Sequence, residues 1–96
     1  MKLCDLLRDV QGKHLSGPAD TEILNVCYDS RKVNDGSLFV AIKGFRSDGH
    51  QYIEKALELG ASALLVQDAP AEKLPENVAV WQCDDTRAAL ARIAAV

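Results

Sequence analysis

Residues 28–61 read YDSRKVNDGSLFVAIKGFRSDGHQYIEKALELGA, and this stretch decides the fold. At its centre lies LFVAI, residues 38–42, an unbroken apolar run rich in strand-forming residues. Such a run predicts a strand buried on both of its faces, as in a parallel sheet. Polar clusters stand on either side of it, at residues 29–31 and 44–50. Loops held by a rigid strand commonly carry binding residues, so both clusters are candidate sites.

The rest of the chain alternates short apolar runs with helical patterns. Runs at residues 23–28, 63–66 and 78–81 predict three further strands. The predicted helices cover residues 3–10, ended by Gly12; residues 48–60, capped by Asp48 and ended by Gly60; and a last segment capped by Asp84 or Asp85. This alternation predicts the α/β class: a small three-layer domain with a largely parallel or mixed sheet flanked by helices.

Composition limits the chain to one small globular domain, because 96 residues support a single core. The net charge of −3 and the lack of a Lys/Arg-rich run argue against a nucleic-acid partner. No apolar run approaches the roughly 20 residues of a membrane-spanning helix, so no membrane is expected. The three cysteines fit neither a disulfide framework nor a zinc site, which indicates free thiols in a reducing, cytoplasmic setting.

Motifs of self-contained catalysis are absent from the sequence. It contains no GxxxxGK[ST] phosphate loop, no GxGxxG, no GxSxG and no HExxH. His14 and His50 are far apart, and the carboxylate beside His50 is that of Asp48, which a helix cap already explains. Tyr52 and Trp81 are interpreted as packing residues. We therefore expect no catalytic residue and no metal site.

The polar clusters suit ligand binding better, although each residue has an ordinary structural alternative. The Ser30 hydroxyl can bond a nucleobase edge or a phosphate, or satisfy backbone groups in its own turn. Arg31 can bind a phosphate, or pair with Asp29 or Asp35 on the surface. Arg46 precedes a helix start, where backbone amides favour anions, so it predicts an anion site or simply an exposed side chain.

Taken in order, the motifs resemble those of one family. The chain carries D-S-R-K-V-x-x-G-x-L-F-V-A-I-x-G from residue 29, D-G-H-x-Y-I from residue 48 and A-x-x-x-G-A-x-A-L-L-V from residue 56. These resemble the N-terminal domain of the Mur ligases, above all the MurE type. That type, the UDP-N-acetylmuramoyl-dipeptide ligase, adds the third amino acid of the peptidoglycan stem peptide. The strong resemblance covers residues 28–67.

The resemblance implies that the three domains of the ligase bind different substrates. In the family, the first domain holds the uridine diphosphate (UDP) end of the substrate, a central domain carries ATP and magnesium, and a third brings the amino acid. Residues 1–96 would then be a single substrate-binding domain of a longer, three-domain, ATP-dependent ligase of the bacterial cytoplasm. Its partners would be UDP-N-acetylmuramoyl-peptide and the central and C-terminal domains. The fragment alone is expected to have no cofactor and no catalytic activity, since it has no G-T-N-G-K-T-like loop and its last helix ends abruptly.

Position by position, the resemblance places the nucleotide contacts on Tyr28 and Ser30, and on Phe45, Arg46 and Ser47. Ser30 matches the family pattern. Tyr28 replaces a smaller aliphatic residue, and Phe45-Arg46-Ser47 replaces a His-Gln-Ala type of triplet seen in some members. Two alternatives remain: the first domain of the MurF-type ligase, which adds the terminal dipeptide, and a non-catalytic α/β interaction or regulatory module.

Overall fold

The computed structural model describes residues 1–8, 10–42, 48–68 and 74–94. In chain order its elements are α1 (Leu3–Leu6), β1 (Gly12–Ser16), β2 (Asn25–Cys27), a first 3-10 turn (Ser30–Lys32), β3 (Ser37–Val40), a second 3-10 turn (Gly49–Tyr52), α2 (Ile53–Glu58), β4 (Ala63–Val66), β5 (Ala79–Cys83) and α3 (Thr86–Ala94). Within these ranges the strands form one sheet in the order β1-β5-β4-β3-β2. Strands β2 to β5 are parallel, and β1 is antiparallel to β5. The predicted α/β domain with a mixed sheet is confirmed.

The two central strands have apolar partners on both faces. Because successive side chains point to opposite faces of a strand, Leu38 and Leu65 pack with α1 and α3, whereas Phe39 and Leu64 pack with α2. Every residue of β3 and β4 is buried. Full burial of a large apolar side chain contributes about 1.5–3 kcal/mol, so these strands supply a large part of the stabilising free energy.

Both predicted aspartate caps are present. The Asp85 carboxylate accepts a hydrogen bond of 3.0 Å from the Ala88 amide at the start of α3. The Asp48 carboxylate accepts one of 2.9 Å from the His50 amide. Asp48 thus begins the second 3-10 turn, and α2 follows at Ile53.

Gly60 ends α2, as predicted. Its φ of +105° lies where L side chains are strained. The Gly60 amide donates to the Leu57 carbonyl at 3.2 Å, and the Ala61 amide to the Ala56 carbonyl at 3.0 Å, which satisfies carbonyls at the helix end. A Cβ on Gly60 would lie 2.3 Å from Oδ1 of Asp35, so this helix end packs directly on the turn that precedes β3.

The sequence-based prediction was wrong about β1. It placed a long helix before Gly12, whereas α1 covers only Leu3–Leu6 and Gly12 begins a strand. The residues GKHLS show no apolar alternation, because β1 is an edge strand and all of its side chains except Leu15 are exposed. Backbone pairing with β5 therefore holds β1, and its side chains give little signal. No helix in the described ranges is long and apolar enough to cross a membrane.

We predict that Leu65→Ala lowers the free energy of unfolding by about 2–5 kcal/mol, because it opens a cavity in a fully packed layer. Leu65 is 0% exposed, whereas Leu59, at the end of α2, is 37% exposed and gives a matched control. Leu59→Ala should change the free energy of unfolding by no more than about 0.5 kcal/mol. Urea denaturation followed by circular dichroism measures both variants. Equal losses would contradict the two-sided burial of β4.

Candidate functional site

A pocket of about 450 Å³ lies at the carboxyl edge of β2 and β3. It is lined by residues that follow these two strands and by the second 3-10 turn: Tyr28, Asp29, Ser30, Arg31, Ile42, Gly49 and Tyr52. Ligands of parallel α/β sheets bind outside the carboxyl ends of the strands, which is where this pocket lies. The structure therefore brings Tyr28 and Ser30, two of the predicted contacts, into one site.

Asp29 builds the turn that carries Ser30. Its Oδ1 accepts hydrogen bonds from the Arg31 amide at 3.0 Å and from Arg31 Nε at 3.1 Å, and its Oδ2 accepts from Arg31 Nη2 at 3.0 Å. Of the alternatives for Arg31, the surface ion pair is thus the one observed, and its partner is Asp29. The side-chain hydrogen bond from Arg31 lowers the pKa of the Asp29 carboxyl from 3.8 to about 2.

The Ser30 hydroxyl does not cap its own turn. The Asp29 carboxylate, and not the Ser30 hydroxyl, accepts the hydrogen bond from the turn amide. Ser30 is only 8% exposed, and its hydroxyl has no hydrogen-bonding partner in the described part of the chain. Among the described residues, the buried side-chain polar atom without a partner is Trp81 Nε1, so solvent reaches the Ser30 hydroxyl from the pocket. This hydroxyl is therefore available to a polar atom of a ligand bound there.

Tyr52 was predicted to be a packing residue, and that prediction was wrong. It is 42% exposed and lines the pocket. The physical reason is its place at the end of the second 3-10 turn, one residue before α2. The buried face of α2 begins at Ile53 and continues to Ala56, so Tyr52 lies outside it. In the sequence, the signal for this exposure was the position of Tyr52 one residue before the apolar face of the helix.

The other three predicted contacts, Phe45, Arg46 and Ser47, lie outside the described residues. Both flanks of that segment, Ile42 and Gly49, line the pocket. The Gly49 amide donates to the Ile42 carbonyl at 2.8 Å, and a Cβ on Gly49 would lie 2.7 Å from the Ile42 nitrogen. The lack of a side chain at Gly49 therefore serves this backbone approach to the end of β3.

Next to the pocket, Asp48, His50 and Asp68 bring three potential metal-ligand atoms within 4.8 Å of one another. His50 Nδ1 lies 2.5 Å from Asp48 Oδ1, and Nε2 accepts from the amides of Gln67 at 3.0 Å and Asp68 at 3.2 Å. Nε2 is therefore an acceptor, and Nδ1 carries the proton that Asp48 accepts. A metal ion at Nε2 would leave two amides without an acceptor. The cluster fits a structural link between the second 3-10 turn and the end of β4, and does not fit a magnesium site.

A second network closes the carboxyl edge beside α3. Thr86 is fully buried, and its hydroxyl donates to the Ala41 carbonyl at 2.7 Å. The Gln67 side-chain oxygen accepts from the Thr86 amide at 3.1 Å, and the Gln82 side chain donates to the Gln67 carbonyl at 2.9 Å. The ends of β3, β4 and β5 are thereby tied to the first residue of α3.

Residues 22–96 match the family described as "Mur ligase family, catalytic domain". The chain belongs to the Mur ligase family. Within it, the N-terminal domain predicted from the sequence motifs is confirmed.

Two relatives of this Mur ligase domain carry the same name. It is 43% identical to the UDP-N-acetylmuramoyl-L-alanyl-D-glutamate–2,6-diaminopimelate ligase of Clostridioides difficile, over 98% of the chain and 19% of that protein. It is 45% identical to the ligase of the same name from Caldanaerobacter subterraneus subsp. tengcongensis, over 98% of the chain and 19% of that protein. A solved structure of MurF from Acinetobacter baumannii superposes with a TM-score of 0.81 at 28% identity, over 98% of the chain and 20% of that protein. The chain thus spans about a fifth of the length of these ligases.

We predict that the Asp29 carboxyl titrates with a midpoint near the lowered pKa of about 2, and that Arg31→Gln returns it toward 3.8. The folded state has the lower pKa, so the ion pair stabilises the Mur ligase domain above 3.8 and loses its contribution as the pH falls through about 2. Carboxyl ¹³C chemical shifts follow this titration. An unchanged midpoint in Arg31→Gln would contradict the assignment of Arg31 as the cause.

We also predict that Thr86→Val lowers the free energy of unfolding by about 1–3 kcal/mol, because the buried Ala41 carbonyl loses its donor. Thr21→Val is the matched control. The Thr21 hydroxyl also donates to a backbone carbonyl at 2.7 Å, but in an exposed position where water replaces it. Its cost should be within about 0.5 kcal/mol. Thermal and urea unfolding measure both variants, and similar costs would show that the edge network around Thr86 contributes nothing of its own.

Proposed function

We propose that the domain binds the UDP end of UDP-N-acetylmuramoyl-dipeptide for the ATP-dependent ligase that adds the third amino acid of the stem peptide. The observation that carries the proposal is Ser30, which lines the pocket and whose hydroxyl has no hydrogen-bond partner among the described residues and is open to the pocket. Tyr28, 65% exposed, lines the same pocket. Both positions are those onto which the Mur ligase resemblance places nucleotide contacts.

The proposed site also includes Phe45, Arg46 and Ser47, which the resemblance assigns to the nucleotide. These residues connect Ile42 to the second 3-10 turn, and Ile42 and Gly49 line the pocket. We propose that Arg46 supplies positive charge for the diphosphate, since Arg31 is already paired with Asp29. The side chains of Tyr28 and Ser30 would then hold another part of the nucleotide.

Binding of this kind acts at a distance from the reaction. Binding energy from a non-reacting part of a substrate positions its reacting end, here the peptide carboxylate. We propose that this domain takes no part in the steps that use ATP and magnesium, because the sequence contains no phosphate loop and the Asp48–His50–Asp68 cluster among the described residues does not fit magnesium. ATP and magnesium would be bound by the central domain of the complete ligase, which with the C-terminal domain would be the partner of this one.

The named relatives favour the MurE type over the MurF type. Relatives at 43% and 45% identity are named as ligases of 2,6-diaminopimelate, whereas the MurF structure is 28% identical. We therefore propose diaminopimelate as the amino acid that the complete enzyme adds, in the bacterial cytoplasm where soluble UDP-linked precursors are found. Membership of a ligase family also favours this function over a non-catalytic module. In the complete ligase, turnover of UDP-N-acetylmuramoyl-dipeptide with diaminopimelate supports the MurE type, and turnover of the tripeptide precursor with a D-alanine dipeptide overturns it.

We predict that UDP titrated into the domain shifts the amide resonances of Tyr28, Ser30 and Arg31, and that Ser30→Ala weakens this binding about tenfold. A ligand atom left without its hydrogen bond costs about 1–3 kcal/mol, and a tenfold loss of affinity corresponds to about 1.4 kcal/mol. Ser16→Ala, at an exposed position on β1, is the matched control and should bind UDP as the parent does. Absence of any shift in the parent domain at millimolar UDP would refute the proposed function.

In the complete ligase, Ser30→Ala should raise KM for the muramoyl-dipeptide substrate and leave kcat nearly unchanged, because Ser30 is placed away from the chemical step. Steady-state kinetics with saturating ATP and amino acid separates the two constants. A fall in kcat at constant KM would mean that Ser30 acts in the transition state, contrary to a remote binding role.

A further inference from the structure

We propose that His50 is a positioning residue for the pocket. In its neutral form the ring holds the second 3-10 turn to the end of β4, and a proton on Nε2 breaks this link, so that the pocket binds its ligand more weakly at acid pH. The inference rests on the proposed function, which supplies the identity of the ligand, UDP. It adds to that function a residue that controls binding without lining the pocket and makes binding dependent on pH.

The second 3-10 turn places His50 between two residues that line the pocket. Gly49 comes directly before it and Tyr52 lies two residues after it, whereas His50 itself is absent from the described lining. The start of the turn is held at the end of β3, because the Gly49 amide donates to the Ile42 carbonyl at 2.8 Å. Any contact that fixes the His50 ring therefore also fixes the backbone of this wall of the pocket.

The His50 ring supplies the attachment of the turn to β4. Its Nε2 accepts hydrogen bonds from the amides of Gln67 at 3.0 Å and Asp68 at 3.2 Å, the two residues that follow this strand. On the other side of the ring, Nδ1 lies 2.5 Å from Asp48 Oδ1, which also accepts from the His50 amide at 2.9 Å. The side chain is only 13% exposed. A neutral ring with its proton on Nδ1 satisfies every one of these contacts.

A second proton on the ring is compatible with only one side of this arrangement. Nδ1–H still donates to Asp48, but Nε2 turns from an acceptor into a donor and meets the N–H groups of Gln67 and Asp68. These two amides lose their acceptor, so the hydrogen bonds to the end of β4 break. Among the described residues, the charged groups brought to the ring are the Asp48 and Asp68 carboxylates, each with an oxygen within 4.8 Å of a ring nitrogen. Either carboxylate can accept from the protonated ring, whereas neither amide can.

Histidine is the side chain that ordinarily changes charge between pH 5 and 8. The described lining of the pocket holds no histidine, and the pKa of Asp29, lowered to about 2, keeps its carboxylate ionised throughout this range. The chain contains two histidines, and the second, His14, lies exposed on the edge strand β1. His14 is therefore a matched control for any effect of pH that is assigned to His50.

The first experiment follows the link without any ligand. From pH 8 to pH 5, the ring ¹⁵N shifts of His50 report the proton on Nε2, and the amide ¹H shifts of Gln67 and Asp68 report the hydrogen bonds. The two amides should move upfield with the midpoint of the ring, whereas the Ala41 amide, bonded to the Leu65 carbonyl at 2.9 Å, should stay in place. Unchanged Gln67 and Asp68 amides during ring protonation, or a ring still neutral at pH 5, would overturn the proposal.

The second experiment measures UDP binding by calorimetry at pH 8 and pH 5 for the parent, His50→Gln and His14→Gln. Glutamine carries an acceptor oxygen and no titrating group, so at position 50 it keeps the link at both pH values. Because the terminal phosphate of UDP titrates in the same range, the quantity compared is the ratio of the parent dissociation constant to that of the variant. For His50→Gln this ratio should rise about threefold to tenfold on acidification, the range for the loss of one hydrogen-bonded link. For His14→Gln it should stay constant.

A constant ratio for His50→Gln, or a ratio that rises for His14→Gln instead, would overturn the pH-dependent role of His50. His50→Leu removes the acceptor and should bind UDP about threefold to tenfold more weakly than the parent at pH 8. Parent-like binding by His50→Leu would overturn the positioning role. If the parent does not bind UDP at pH 8, the proposed function fails and the positioning role fails with it, whereas the ligand-free titration still decides the pH-sensitive link.

Discussion

Strands β3 and β4 lie between two apolar layers, and this double burial constrains the rest of the domain. No position along either strand faces water, so none can carry a polar side chain without a buried partner. Ser37, the polar residue of β3, is buried with its partners Asn25 and Asn34. Other polar side chains lie just beyond the strand ends. The carboxyl edge of the sheet is where those residues collect: Ser30 after β2, Gln67 after β4 and Thr86 after β5.

The polar groups at that edge divide into two kinds. Thr86 and His50 are saturated by the protein itself, through the Ala41 carbonyl in one case and through Asp48 and two backbone amides in the other. These hydrogen bonds rigidify the edge of the sheet. The ring nitrogens of His50 and the hydroxyl of Thr86 are therefore not available to a ligand. Ser30 is the contrasting case, because Asp29 has taken over the capping of its turn. A rigid frame beside a hydroxyl that is available to a ligand is the arrangement expected of a preorganised binding site.

Much of this architecture could be predicted from the sequence, and the failures have physical causes. Continuous apolar runs predicted β3 and β4. A glycine after a helical pattern predicted that α2 ends at Gly60. Both are local signals. The sequence did not predict β1, because backbone hydrogen bonds to β5 hold this exposed edge strand and impose no apolar pattern on its side chains. Its polar residues resemble those of a loop.

The site was predictable to a lesser degree. Tyr28 and Ser30 are two residues apart, so their meeting in one pocket follows from the chain itself. The choice of Asp29 over Asp35 as partner of Arg31 depends on the shape of a 3-10 turn, which spacing alone does not determine. Tyr52 joins the pocket from 24 positions beyond Tyr28 through the packing of the second 3-10 turn against the end of β3. Local patterns carry no information about a contact of that kind.

The pairing of β1 with β5 bears on how the domain is made on the ribosome. The parallel pairs β2–β3, β3–β4 and β4–β5 join neighbours in the chain, so each can form as soon as its second strand emerges. β1 is synthesised before all of them, yet its only described strand partner, β5, comes last. In the nascent chain, β1 therefore lacks its strand partner while residues 17–78 are synthesised. The mostly exposed, polar side chains of GKHLS give β1 little tendency to pair with strands of other chains before β5 is made.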